Sequence, residues 1–313
     1  MITLFDPFFL RGGSQKRFRE MFRNLSDGAK GACCMIVGSL LLTSQDAITK
    51  WMTSSYHAGE ILFYRGIFTF IPIIFLVIWT SDINLLRTRS FKSTLLRAVL
   101  GSATSVFVVL SFTYLPLATA LAIIFLSPIM LTALSVPILG EQVGWRRWGA
   151  VFVGFCGVIL IIQPGQGGVW FYFLIPLFTA LLATMRDIVT RHMKGGDSSL
   201  SILFYSMIVA VLTGGVSLPV FGFNVPNWSD AVLFATAGIM VSVSHLLIIQ
   251  ALLFAPGATV APFKYLSLVY AAGIGYIVWG DVPNLGKIIG ATLVVFAGLF
   301  ILHREMNSKK SIS

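Results

Sequence analysis

The stretch from Pro256 to Asp281, PGATVAPFKYLSLVYAAGIGYIVWGD, is apolar and long enough to cross a bilayer, yet it carries Lys264 about two turns from its start. An ammonium at that depth is costly against lipid, so Lys264 must face protein or water. The stretch also has a twin. Pro116 to Glu141 reads PLATALAIIFLSPIMLTALSVPILGE. Pro116/Pro256, Ala118/Ala258, Thr119/Thr259, Leu126/Leu266, Ser127/Ser267 and Gly140/Gly280 recur in register, and Glu141 stands opposite Asp281. Where one copy has Lys264 the other has Ile124. A chain with this pattern is a duplicated membrane protein whose halves have diverged at polar positions.

Composition agrees. The chain is 57% hydrophobic and only 11% charged, where a soluble domain carries about a quarter charged residues. The apolar runs are continuous, not alternating, which excludes an antiparallel barrel and leaves an all-α integral membrane protein. The net charge of +10 reflects topology and not nucleic-acid binding, because the basic residues gather in one set of loops. Cys33, Cys34 and Cys156 fit small packing residues better than disulfides or ligands.

Ten spans are predicted, at roughly 31–52, 59–79, 94–114, 117–139, 146–163, 169–191, 200–221, 230–254, 257–279 and 286–303. With the N-terminus in the cytosol, the inside segments hold Arg87, Arg89, Lys92, Arg97, Arg146, Arg147, Arg191, Lys194, Arg304, Lys309 and Lys310. The N-terminal tail adds Arg11, Lys16, Arg17, Arg19, Arg23 and Lys30. The outside segments hold only Lys50 and Lys287. This asymmetry predicts both termini inside. The expected organisation is a cytosolic basic tail (1–29), two five-helix repeats (30–163 and 168–303) and a cytosolic tail (304–313).

The duplication runs further. Ile61-Leu62-Phe63-Tyr64 recurs as Ile202-Leu203-Phe204-Tyr205, Asp46 and Thr49 recur as Asp187 and Thr190, and Gly149, Val153 and Gly157 recur as Gly290, Val294 and Gly298. An odd number of spans per repeat inserts the second copy upside down. Inverted repeats are the architecture of alternating-access transporters, with the site near the midplane between them. The two five-span repeats, the aromatic-Arg of span two (Tyr64-Arg65) and the APFKYL segment of span nine resemble the EamA-type transporters of the drug/metabolite transporter superfamily. Asp187-Ile188, Leu203-Phe204-Tyr205-Ser206 and Ala261-Pro262-Phe263-Lys264-Tyr265-Leu266 are also similar to alphaproteobacterial S-adenosylmethionine carriers, with Ser267 where that pattern has a carboxylate. The resemblance implies a ten-helix transporter.

No HExxH or Gly-x-Ser-x-Gly motif and no His/Cys cluster at metal-ligand spacing is present. Neither an enzyme nor a cofactor is therefore expected. Gly280 to Lys287 imitates a phosphate loop with one residue too many and Ile288 in place of Ser or Thr, and reads as an external turn.

Ionisable groups inside spans mark function by default. Arg65 and Lys264 are candidates for binding an anionic substrate group. Tyr64, Tyr205, Tyr265 and His245 could supply hydrogen bonds and stacking, although aromatic residues in membrane helices more often pack. Asp46 and Asp187 are gating or coupling candidates that would pair with an amine, a basic side chain or a proton. Depth counting puts Asp46 and Arg65 on one side of the midplane and Asp187 and Lys264 on the other, suggesting two polar latches. The expected function is secondary transport of an amino acid or amino-acid-derived metabolite such as S-adenosylmethionine, through a site lined by spans two, three, four, seven, eight and nine. Riboflavin or drug transport, and a non-transporting scaffold or sensor, are the alternatives. Expected partners are the small metabolite, the lipid bilayer, protons or an exchanged counter-substrate, and a second copy in a homodimer, but no nucleic acid.

Overall fold

A computed structural model describes residues 25–88, 90–140, 144–163, 170–193, 198–255 and 257–310. The basic tail up to residue 24, Glu141, the 164–169 connection, Lys194 and Pro256 lie outside the described residues. Those described form helices α1 (Asp27–Met52), α2 (Ala58–Thr80), α3 (Phe91–Tyr114), α4 (Leu117–Ile124), α5 (Ser127–Leu139) and α6 (Trp145–Ile162). Then follow α7 (Leu174–His192), α8 (Ser199–Phe221), α9 (Trp228–Phe254), α10 (Gly257–Lys264), α11 (Leu266–Trp279) and α12 (Leu285–Lys310). The sequence places the helix starts. Ser26, Ser198 and Asn227 each accept a backbone N–H with their side chains, and His57 with Glu60 forms a reciprocal cap on α2.

Among the described residues, 9 helical stretches are long and apolar enough to cross a membrane, with α4 and α5 counted together. The protein is a multi-pass membrane protein. The expected span 257–279 is not among these nine; it runs as two half-helices, α10 and α11, that meet at Tyr265. Its twin is split in the same place, between Ile124 and Ser127. At both breaks the backbone tightens to i→i−3 bonds, from Leu126 N–H to the Ile123 carbonyl and from Tyr265 N–H to the Pro262 carbonyl. Pro128 and Pro262, which have no N–H to give, sit beside them. Lys264 and Ile124 are thus both the last residues of a half-helix. The two breaks meet, with the Phe125 and Tyr265 rings 5.2 Å apart. Gly140 and Gly280 close α5 and α11 in the left-handed region, at φ 67° and 69°.

The helices pair as a two-fold exchange of halves requires. α1 packs on α9, and its counterpart α7 packs on α3. α2 on α9 is matched by α8 on α3, while α2/α8 and α6/α12 are pairs between equivalents. The α6–α12 crossing is backbone on backbone. A Cβ on Gly290 would lie 2.4 Å from the Gly157 carbonyl oxygen, and one on Gly157 would lie 2.7 Å from the Gly290 oxygen. Here small residues substitute for the hydrophobic drive that lipid cannot supply.

Candidate functional site

Charged side chains inside the bundle gather in two separate layers. In the first, Arg65 on α2 donates from Nη1 to Gln45 Oε1 (2.9 Å) and Thr49 Oγ1 (3.0 Å) on α1. The Gln45 amide in turn donates to the Asp46 carboxylate. Asp46 is buried at 9% exposure. The expected Asp46–Arg65 pair is therefore not a direct contact. Gln45 bridges it, because its amide satisfies an anion on one side and a cation on the other.

Above this layer the α1–α2 connection is fastened to the α8–α9 connection. Tyr64 donates to the Asn224 carbonyl (2.9 Å), Tyr56 to Asp230 Oδ2 (2.8 Å), and Asn224 N–H to the fully buried Glu60. Partial burial first, and then Asp230, push the Tyr56 hydroxyl up to about 12. The Tyr64 ring packs on Phe234, so its hydroxyl serves this fastening and does not point at a ligand beside Arg65.

The second layer is built on α3, α7, α8, α9 and α10. Arg97 donates from Nε to Thr190 Oγ1 (2.8 Å) and from Nη1 to Ser206 Oγ (3.2 Å). The sequence reading counted Arg97 among inside loop charges. It lies instead within α3, about 9 Å from the helix start. Arg186 directs Nε (3.0 Å) and Nη2 (2.9 Å) at one oxygen, Oδ1, of Asp187. The expected Asp187–Lys264 pair is likewise not a direct contact, because the neighbouring Arg186 holds that carboxylate. Lys264 makes no hydrogen bond or ion pair with any described residue, and its side chain is exposed. Asp187 and Arg186 lie within electrostatic reach of it.

His245 on α9 has Nδ1 2.8 Å from the Val241 carbonyl. A carbonyl only accepts, so Nδ1 carries the proton and Nε2 of the neutral ring is an acceptor. Arg97, Arg186 and Lys264 all act on this ring electrostatically. Arg97, Ser206, Arg186, Asp187, Lys264 and His245 sit about 8–14 Å from the helix ends on one face of the bundle. The side chains of Arg186 and Asp187 are 32% and 41% exposed.

Two expected residues are used differently. The Tyr265 hydroxyl points at α12, where a Cβ on Gly298 would sit 2.0 Å from it. The Tyr205 ring packs edge-on against Phe91 and Phe204. A groove of about 480 Å³ between α4, α11 and α12 shares Tyr265 but none of Arg97, Arg186 and Lys264; the basic side chain on its wall is Lys287. Among the described residues, no three His, Cys, Asp or Glu gather as metal ligands. Sequence reasoning passed over Gln45, Arg97 and Arg186 as site residues. The signal for the two arginines was their position inside predicted spans.

Residues 29–163 match the model of the EamA-like transporter family, in agreement with the family resemblance. The whole chain is similar to curated transporters. One is the S-adenosylmethionine uptake transporter of Rickettsia prowazekii (strain Madrid E), 28% identical over 90% of this chain and 95% of that one. Another is the riboflavin transporter of Rhizobium johnstonii, 27% identical over 90% and 93%. A third, the pseudopaline exporter of Pseudomonas aeruginosa, is 24% identical over 85% and 94%. These proteins are named as transporters, not enzymes. A protein crystal structure matches with a TM-score of 0.61 at 16% identity, covering 87% of this chain and 97% of that one, which bears on the fold alone.

Proposed function

We propose that this protein is a secondary active transporter that moves a small organic metabolite across a bacterial inner membrane by alternating access. The observation that carries the reading is Lys264. It is an intramembrane ammonium with no hydrogen-bond or ion-pair partner among the described residues, exposed at the end of a half-helix and within electrostatic reach of Arg186, Asp187 and His245. Structural charges in membranes are paired, whereas a charge kept available is one that meets a ligand. Broken helices meeting at the centre of an inverted repeat are where transporters of this architecture hold substrate.

In this reading the second layer faces the cytosol and forms the substrate site, with Lys264, Arg97, Arg186 and His245 as contacts. Asp187 releases Arg186 when substrate arrives. The Asp46–Gln45–Arg65–Thr49 layer is the closed outer gate. Both termini are cytosolic. Metabolites derived from amino acids and carrying a carboxylate suit the site.

The test is uptake into proteoliposomes of purified protein, with S-adenosylmethionine, riboflavin and pseudopaline in the panel because relatives carry those names. Saturable accumulation of a panel member supports the reading. Its absence across the panel and across the acids tested below rejects it. Cysteines introduced at Asn224 and Ser90 should label from outside and inside respectively, and reversed labelling would overturn the orientation.

A further inference from the structure

We infer that the inner layer selects net anions, seating a carboxylate or phosphate group between Arg97, Arg186 and Lys264 and turning cations away. The inference rests on the transport reading and names the charge class of its substrate.

Among the described side chains, three cations share this layer with a single acid. The charged groups acting on Arg97 are Arg186 and Asp187, those acting on Lys264 are Asp187 and Arg186, and those acting on His245 are Arg186, Arg97 and Lys264. Asp46 belongs to the other layer, where Arg65 opposes it. The cluster therefore carries an excess of positive charge that no described residue neutralises.

The hydrogen-bond inventory points the same way. Arginine offers a fork of N–H donors and lysine an ammonium, and neither accepts. Arg97 spends donors on Thr190 and Ser206 but leaves Nη2 unspent. Arg186 spends two on one oxygen of Asp187. Lys264 spends none. The hydroxyls beside Arg97 already donate to their own helices, Thr190 to the Arg186 carbonyl (2.8 Å) and Ser206 to the Ile202 carbonyl (2.7 Å). They therefore orient Arg97 as acceptors. What remains for a ligand is a set of cationic donors from three helices, the arrangement that binds carboxylate and phosphate oxygens. A cation would find one free oxygen of Asp187 and the His245 Nε2 set against three like charges.

The experiment is a thermal-shift titration of the purified full-length protein, followed by proteoliposome uptake. The probes are malate, glycerol 3-phosphate, leucine, lysine and S-methylmethionine. Malate or glycerol 3-phosphate is expected to stabilise the protein and to be taken up. Which of them acts distinguishes carboxylate from phosphate. Lys264→Gln should weaken that binding roughly tenfold to a hundredfold, the worth of a charge-assisted contact. Since Lys264 makes no hydrogen bond or ion pair with a described residue, the variant should still fold. Asp187→Asn should tighten anion binding by freeing Arg186, a gain that misfolding cannot produce.

Stabilisation by lysine or S-methylmethionine with the acids inert would overturn the charge assignment and leave the transport reading standing. Anion binding unchanged in both variants would overturn the location. Binding of none of the probes would overturn the inference, while uptake of a relative's named substrate would keep the transport reading.

Discussion

The two polar layers descend from one ancestral pattern, since Asp46 and Thr49 of the first half stand where Asp187 and Thr190 stand in the second. They have come to opposite solutions. In the outer layer each group is satisfied within the protein: Arg65 by Gln45 and Thr49, and Asp46 by the Gln45 amide. In the inner layer, among the described residues, Asp187 is held by Arg186 and Lys264 has no hydrogen-bond or ion-pair partner. A closed network resists opening, because each separated partner must be resolvated or left unpaired. An open one is short of acceptors until a ligand supplies them. In the proposed transport reading, equivalent positions in a duplicated fold are divided between holding and binding.

The comparison breaks most clearly at Lys264. Lys264→Ala should reduce transport by about tenfold to a hundredfold while moving stability by no more than about 0.5 kcal/mol. Ile124 at the twin position shows that a half-helix can end on an apolar residue. Uptake at the unsubstituted rate would remove Lys264 from the site and make the two layers alike.

The opposite signature is expected from Arg65→Ala. It strips Gln45 and Thr49 of a donor and Asp46 of its nearest cation, at a cost of about 3 kcal/mol. A fall in melting temperature in detergent checks this. A variant with unchanged melting but lost uptake would show the outer layer to be a ligand site as well.

Gly290→Ala tests the scaffold that both layers share. Its Cβ would lie 2.4 Å from the Gly157 carbonyl oxygen and 2.7 Å from Ile161 Cγ1. Forcing α6 from α12 should cost about 2 kcal/mol. An equally stable variant would mean that the crossing is looser than described.

Glu60→Gln is the mildest change. The buried carboxylate accepts from the backbone N–H groups of His57 and Asn224. The amide keeps one acceptor, so the expected loss is about 1 kcal/mol. Because Glu60 fastens only the outer end, transport by the inner layer should be retained. Loss of uptake without loss of stability would tie the fastening to the transport cycle.

The chain's own chemistry determined the class, the duplication and the placing of one decisive residue. Membrane helices announce themselves by length and hydropathy. A repeat shows as identities in register, and a lysine within an apolar run is conspicuous because lipid does not tolerate it. What the residues could not disclose is which way each side chain turns. The same reasoning paired Asp46 with Arg65 and Asp187 with Lys264 by depth alone. Depth follows from counting along a helix, whereas contact depends on rotation about the helix axis. Rotation is set by neighbours from distant parts of the chain. Only the packing of α1 against α2 placed Gln45 between Asp46 and Arg65. Only the meeting of α3 with α7 and α8 turned Arg97 from a topological charge into part of a site, by bringing Thr190 and Ser206 to its guanidinium.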